Sequence, residues 1–582
     1  MNIVVANSVG VDQNGYHLVH VPSRWSLGVK NHTNCGYYPW ELAYTSSLLK
    51  RETDHRVRFL DGILYAWDFD TYFQHIEKEQ PDWLIMESSS RTWKEDRRLA
   101  EAAKQAFGTK VIFTGQHPMA RPEEVSAVAD HVCLGEYEFT VLDIIQGKDA
   151  RALPGVYPNE RAGLIDVNRL PFPEDTDVSR MDYHEPNCIY RQVQMYASRG
   201  CPRRCNFCAA ATLYYDELNW RPRDVDNIVQ EIATLKDKYP EMEGVFFDEE
   251  VHNIRPGFNI ALAQKIRAEG LDGLKYEAMC EYASLDETAM REMKKAGYYK
   301  IRFGIETGSD EVARHMTLGK KHDLAKMRRM LEVGKDIGLM FYGTTSIGGL
   351  GSTEDEDKKT VDLIHELTRR GLLDEVQVSV NTPQPGTDFY NTALEKGWLR
   401  DIGDYDEFDG NGQVCVDYPH YPADRIQATF NAALEAYDRG KEEARADSLK
   451  KALDSSLEKI GPGQRVVTLR SVRNWMVSIL LGALHNRTGA PTDLLAQDVV
   501  QEMFQNHKAV GSFFSYGAGF FSPDRFPREL ENALRQNEYD WVVVPMANRH
   551  LEGYTNALEV ARSLGGKHLM GIFADGTCLE LT

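Results

Sequence analysis

The chain has 582 residues and a formal net charge of −21. That length allows three or four domains at about 150 residues each, and the acidity excludes an extended contact with a phosphate backbone, which needs an excess of Lys and Arg. Nine cysteines in so long a chain do not make a disulfide framework and suit a reducing compartment.

Residues Met1 to Asn7 read as a first strand and not as an export signal. The longest apolar stretch worth testing, Trp475 to Leu484, is about half of the roughly 20 residues that cross a bilayer. We therefore expect a cytoplasmic protein with no membrane span and no nucleic-acid partner.

From residue 1 to 150, apolar strands alternate with helical patterns: Ile3 to Ala6, a helix over Trp40 to Lys50, Val57 to Leu60, a helix near Tyr72 to Glu79, Trp83 to Met86, a helix near Lys94 to Ala106, and Val111 to Thr114. Such alternation predicts a Rossmann-like parallel sheet with helices on both faces. Ligands of open sheets sit beyond the carboxyl ends of the strands. Here those ends carry small or polar residues: Glu87-Ser88-Ser89-Ser90, Gly115-Gln116-His117-Pro118 and Gly135-Glu136.

Residues 151–190 break into Pro and charge and read as an extended connector crossing the surface. A strand over Val193 to Ala197 then delivers Cys201-Pro-Arg-Arg-Cys205-Asn-Phe-Cys208. Three thiols at these spacings reach one metal cluster from a single loop, and a cluster held by three legs keeps one iron free for a small-molecule ligand. The alternative is three legs of a structural zinc site, which wants a fourth Cys or His nearby. About six strand and helix units follow up to residue 400, enough for a partial (β/α)6 barrel with a lateral opening.

The cysteine spacing, with Phe207 before the last thiol, resembles the signature of the radical S-adenosylmethionine (radical SAM) superfamily. The resemblance implies a 4Fe-4S cluster on Cys201, Cys205 and Cys208, with SAM chelated to the open iron and split reductively to a 5'-deoxyadenosyl radical. It assigns Asp248 and Glu249, in Phe246-Phe247-Asp248-Glu249-Glu250, to the amino group of SAM. Gly304, Glu306 and Ser309, in Gly304-Ile305-Glu306-Thr307-Gly308-Ser309, and Ile347 before a glycine-rich loop fall in the rest of the SAM pocket. Thr382-Pro383-Gln384-Pro385-Gly386-Thr387 looks like the string that closes the barrel in one branch, whose members carry an N-terminal cobalamin-binding domain.

In that branch the pieces of the first domain also have counterparts. They place Tyr38, Ser88, Ser89, Gly115, His117, Gly135 and Glu136 at a cobalamin. The Asp-x-His-x-x-Gly motif that supplies a cobalt ligand elsewhere is absent; Asp182-Tyr183-His184 lacks the glycine. A second departure is Glu281, which stands where the branch usually has an Arg, so another cation, such as Arg302, is needed for the SAM carboxylate.

Residues 401–463 read as an acidic loop, Asp401 to Asp409, and a helical extension over Asp424 to Lys459 that acts as a buttress or lid. Residues 464–582 read as a small α/β domain without a recognisable motif. Its strands are expected at Val466 to Leu469, Trp541 to Pro545 and His568 to Phe573, and its helices at Trp475 to His485, Leu494 to Phe504 and Asn556 to Leu564. The function implied is methylation of an unactivated carbon in a small-molecule or peptide substrate, with an electron donor such as flavodoxin or ferredoxin. Three alternatives stay open: a radical cyclase or rearrangement enzyme of the same branch, transfer-RNA methylthiolation, for which only Cys35 and Cys133 lie in the first domain, and a non-catalytic cobalamin or iron-sulfur sensor.

Overall fold

The computed structural model describes every residue except 22–24, 30–35, 319–321, 401–412 and 582, so Cys35 and the loop Asp401 to Asp409 lie outside the described residues. The chain opens with β1 (Asn2–Ala6), followed by an antiparallel hairpin of β2 (His17–Val21) and β3 (Trp25–Val29). Then come β4 (Arg56–Leu60), β5 (Trp83–Glu87), β6 (Lys110–Thr114) and the short β7 (His131–Val132). They form a parallel sheet of order β4-β1-β5-β6-β7. Runs such as Trp83-Leu84-Ile85-Met86 are buried throughout because helices cover both faces. Helix Phe69–Glu79 starts on the Asp68 side chain, which accepts the Thr71 N–H at 2.9 Å. Helix Trp93–Phe107 stops at Gly108, φ 70°.

The second unit holds β8 (Gln192–Met195) and a small antiparallel ladder of β9 (Ser198–Arg199) with β10 (Arg221–Pro222). It continues through β11 (Gly244–Phe247), β12 (Lys275–Cys280), β13 (Tyr298–Glu306), β14 (Met340–Ile347) and β15 (Glu375–Val380). The six-stranded parallel sheet has the order β15-β14-β13-β12-β11-β8. It is the partial barrel expected from the repeats. Helix Ala423–Ser456 then buttresses it by lying on helix Glu354–Arg369. The two helices approach so closely that a Cβ on Gly440 would stand 2.4 Å from Thr368 Oγ1.

The last unit has β16 (Val466–Leu469), β17 (Thr492–Ala496), β18 (Val510–Ser515), β19 (Trp541–Met546), β20 (His568–Phe573) and β21 (Cys578–Leu581). The order is β18-β17-β16-β19-β20-β21, parallel except for β21. The helix expected over Leu494 to Phe504 is corrected to the strand β17 followed by short turns, Asp498–Val500 and Gln501–Phe504. Leu and Ala favour a helix locally. Pairing of this segment with β16 and β18 on either side overrides that preference.

The connector is also corrected. Its first half does run at the surface, with Arg151, Glu160, Asp166 and Arg169 exposed, but its second half turns inward: Arg180, Tyr183 and Glu185 are all at most 3 % exposed. The charges of this buried end, which drew the surface reading, meet buried partners. Arg180 pairs with Glu231, which also receives Arg223 at 2.6 Å, and Glu185 pairs with Arg302 at 2.6 Å. No helix among the described residues is long and apolar enough to cross a membrane.

The first sheet and the barrel meet at the carboxyl ends of their strands. Gln116, after β6, donates from Nε2 to the Pro385 carbonyl in the turn after β15 at 2.8 Å. Glu136, after β7, accepts from Arg221 at 2.6 and 2.9 Å and from Arg199 at 3.3 Å, beside the cysteine loop.

Candidate functional site

Cys201, Cys205 and Cys208 follow β9 on a half-buried loop at the carboxyl ends of the barrel strands. The turn into this loop is made by Gly200 at φ +88°, where a Cβ would stand 1.7 Å from Asn219 Oδ1, so only glycine fits. The loop is then pinned to three other elements. The Cys201 carbonyl accepts the Asn219 N–H at 3.2 Å. Asn206 donates from its backbone to the Met316 carbonyl at 3.1 Å and from Nδ2 to the His315 carbonyl at 2.9 Å, while its own carbonyl accepts the Phe389 N–H at 2.9 Å. The Cys205 thiol donates to the Leu318 carbonyl at 3.1 Å. Phe207 packs on Val312, Ala313 and Met316.

Burial, together with the Cys208 thiol, pushes the Cys201 pKa up to about 12, and burial raises Cys208 as well. Bare thiolates are thus disfavoured in this loop, and a polycationic cluster reverses that balance by binding the deprotonated sulfurs. Among the described residues, no three His, Cys, Asp or Glu side chains, the three cysteines included, stand close enough to hold one metal ion. Three sulfurs on one loop, with no fourth donor among the described residues, fit a cluster better than tetrahedral zinc.

The carboxylates around the loop divide by what they touch. Glu249 is turned to the protein itself. Its Oε2 accepts the Ala197 N–H at 2.9 Å, and its Oε1 accepts from His252 Nδ1 at 2.7 Å and Ser198 Oγ at 3.3 Å. Glu250 accepts the Gly200 N–H at 3.1 Å and the Tyr215 hydroxyl at 2.8 Å. Both therefore hold the strand and turn that deliver the cysteines. Asp248 is different: it is buried, and its Oδ2 has no hydrogen-bond partner among the described residues. Burial holds its pKa well above the ordinary range, with nearby Arg302 opposing.

Glu306 ends β13 at φ +66°, beside a register shift against β14. A non-glycine residue in this region is uncommon, and bulges re-aim side chains. Its charge reaches both Cys208 and Tyr282. Gly304 lies two residues earlier on the same strand, half-buried. Ser309 caps helix Asp310–His315, accepting the Glu311 and Val312 N–H groups at 3.1 Å each. Ile347 ends β14 in the core, and the following Gly348 N–H is fixed on Asp357 at 2.8 Å.

Arg302, the cation expected to replace the missing arginine, is engaged elsewhere. It pairs with Glu277 and Glu185 inside the barrel and lies over the rings of Phe246 (4.4 Å) and Tyr342 (4.9 Å). The cation that meets Glu281 is Arg203, from within the cysteine motif. It makes a two-pronged pair at 2.9 and 2.7 Å, and its guanidinium also senses Cys201 and Cys205. Sequence reasoning missed this pair. The signal was a reversed charge at 281 beside an unassigned arginine in the motif.

In the first unit, Ser88, Ser89, Gly115 and His117 come together after β5 and β6. Gly115, at φ +99°, lies so close that a Cβ would stand 2.8 Å from the Ser88 carbonyl. Ser88 donates to Asp96 at 2.7 Å and Ser89 to Ser26 at 2.8 Å. The His117 ring stacks on Trp93 at 4.9 Å, with Nδ1 3.1 Å from Ser90 Oγ and Nε2 3.6 Å from Glu124. Buried Thr114 Oγ1, at the end of β6, has no hydrogen-bond partner among the described residues. Tyr38 lies apart from this group, at the contact with the barrel: its N–H donates to Gln194 at 2.8 Å and its hydroxyl to the Glu174 carbonyl. Gly135, at φ +85°, and Glu136 stand beside Arg161 and the Arg199–Arg221 pair.

A partial barrel with three cysteines on the loop after its first strand defines a radical SAM domain. Residues 195–364 match the model of the radical SAM superfamily. An uncharacterized methyltransferase of Pyrococcus horikoshii is 26% identical over 378 residues, 62% of this chain and 79% of the relative. The bacteriochlorophyllide d C-8(2)-methyltransferase of Chlorobaculum tepidum is 22% identical over 363 residues, 58% of this chain and 74% of the relative. Among solved structures, the cobalamin-dependent SAM radical enzyme OxsB, with aqua-cobalamin and SAM bound, superposes at a TM-score of 0.56 and 13% identity, over 72% of this chain and 66% of that one.

Proposed function

We propose that the chain is a cobalamin-dependent radical SAM enzyme that methylates an unactivated carbon of a small-molecule or peptide substrate. The observation that carries this reading is the meeting of two strand-end edges, one with the cysteine loop and one with the Rossmann-like sheet, joined by Glu136 on Arg199 and Arg221 and by Gln116 on Pro385. The names of the relatives support methyl transfer, and the fold shared with OxsB supports cobalamin at the first sheet.

When bound, the reduced cluster on Cys201, Cys205 and Cys208 supplies the electron that breaks the C5'–S bond of SAM, giving methionine and a 5'-deoxyadenosyl radical that takes a substrate hydrogen. The residues of this chain hold the reactants and keep out water. Arg203, anchored on Glu281, binds the carboxylate of SAM. Asp248 Oδ2 faces its ammonium, which draws the buried carboxyl towards its ionised form. Glu306 and Ile347 flank the nucleoside, and Glu249 and Glu250 keep the loop in place. The residues after β5, β6 and β7 would hold the corrin, whose chemistry would be methyl donation. A cytoplasmic flavodoxin or ferredoxin is the electron donor.

The test is anaerobic reconstitution followed by product analysis. We expect about four irons per chain, a corrin spectrum, and formation of both 5'-deoxyadenosine and S-adenosylhomocysteine. Deoxyadenosine without S-adenosylhomocysteine would establish the cyclase or rearrangement reading instead. Neither product would leave a sensor.

A further inference from the structure

The third sheet has an unassigned cleft. Residues 464–582 lie beyond the stretch 195–364 matched by the family model. Their strand order β18-β17-β16-β19-β20-β21 reverses direction between β16 and β19, and open sheets of this kind bind ligands at the carboxyl ends beside that reversal. A cleft of about 660 Å3 opens there, lined by residues that follow β16, β17, β18, β19 and β20. Its far wall is Asn187 of the connector and Glu375 at the start of β15, so it lies at the amino ends of the barrel strands, opposite the cysteine loop. A volume of this size holds a small molecule.

The chemistry of the lining narrows the ligand. Arg470, directly after β16, is 2.6 Å from both Asn474 Oδ1 and Gln497 Oε1, and Gln497 is itself fixed by donating to the Gly519 carbonyl at 3.1 Å. Among the described residues, no carboxylate lies within ion-pair distance of this guanidinium, and its remaining N–H groups have no partner. Burial lowers its pKa against the opposing charges of Tyr516 and Asp438. Asp438, whose charge opposes that shift, is itself pushed up to about 7 by burial. Helices Asn474–Thr488 and Thr555–Ser563 both begin at the cleft and add positive potential. Trp475, Phe520, Phe521 and Tyr554 supply flat apolar walls, and Phe520 is 52% exposed. The turn Arg470-Ser471-Val472-Arg473 has no glycine, so it lacks the backbone cradle of a dinucleotide fold.

We propose that this cleft binds a small organic anion, a carboxylate or phosphate head on a flat apolar body, with Arg470 as the group that grips the head. The probes are a matched pair: 1-anilinonaphthalene-8-sulfonate, and N-phenyl-1-naphthylamine, which has the same body and no charge. They are titrated by fluorescence into the full chain without SAM, so the result is independent of the reaction proposed above. We expect one sulfonate bound per chain, at least tenfold tighter than the neutral probe. Arg470→Gln should weaken the sulfonate at least tenfold and leave the neutral probe within twofold, while Arg470→Lys stays close to wild type. Val499→Glu, at an 84% exposed position on the rim, adds an opposing charge without touching the core and should weaken only the sulfonate. It carries the test if Arg470→Gln fails to fold. Competition by 1-naphthoate and 1-naphthyl phosphate ranks the two heads. Equal affinity for the two probes, sulfonate binding unmoved by both charge variants, or displacement by neither competitor would overturn the proposal.

Discussion

Replacing Glu249 by Gln separates two roles for one carboxylate. The superfamily pattern gives it to the ammonium of SAM, whereas its oxygens accept from Ala197 N, His252 Nδ1 and Ser198 Oγ at 2.9, 2.7 and 3.3 Å. A hydrogen bond to an ionised acceptor contributes about 1.5–3 kcal/mol, and a neutral one about 1 kcal/mol. The amide puts a donor against one of these donors and weakens the remaining bonds, a loss of about 3 kcal/mol in the segment that delivers the cysteines. That is on the order of 100-fold in the fraction of loop correctly held. We expect iron and sulfide content to fall severalfold after anaerobic reconstitution, with the melting of the remainder little changed. The Kd for SAM, measured on the fraction that retains cluster, should stay within about threefold. Full iron content with SAM binding weakened tenfold or more would refute the reasoning and return Glu249 to the substrate.

Three other outcomes follow from the same geometry. Arg203→Ala should weaken SAM binding at least tenfold while leaving iron content near wild type, read by equilibrium binding; equal affinity would place the carboxylate on another cation. Gly200→Ala forces a Cβ to 1.7 Å from Asn219 Oδ1 at φ +88°. The conformation alone costs about 1–2 kcal/mol, so cluster loading should drop, with partial recovery in the Gly200→Ala/Asn219→Ala double variant. His117 is held neutral, its pKa lowered by burial to about 4 against the opposing charge of Glu124. The unfolded chain, titrating near 6.5, takes up the proton first. Its contribution is therefore complete above about pH 6.5 and is lost as pH falls towards 4, on the order of 3 kcal/mol. The urea midpoint of His117→Phe should fall less steeply than wild type over that range, and parallel curves would refute the assignment.

Much of this architecture was legible in the residues. Continuous apolar runs such as Trp83 to Met86 and the helical patterns between them gave the first sheet, and Val466–Leu469 and His568–Phe573 were placed to the residue. The cysteine loop was legible because three thiols at fixed spacing have few other uses. What sequence could not give was partnership. Glu249 and Asp248 are neighbours in the chain, yet one serves the backbone and the other faces the barrel interior, a distinction made only by which way a strand end twists. Arg302 looked available until Glu185, far away in sequence, was folded against it. The strand at Thr492–Ala496 has helix-forming residues and exists because β16 and β18 flank it.

The buried end of the connector bears on how the enzyme can move. Tyr183 donates to Asp61 of the first sheet at 2.7 Å, Arg180 pairs with Glu231 on a barrel helix, and Asn548 of the last unit donates to the Pro186 carbonyl at 3.3 Å. A strap tied at three points is not a hinge. The angle between the first sheet and the barrel is then set at folding, and the machine works as a fixed vice into which reactants must be threaded, not as a jaw that swings shut on them.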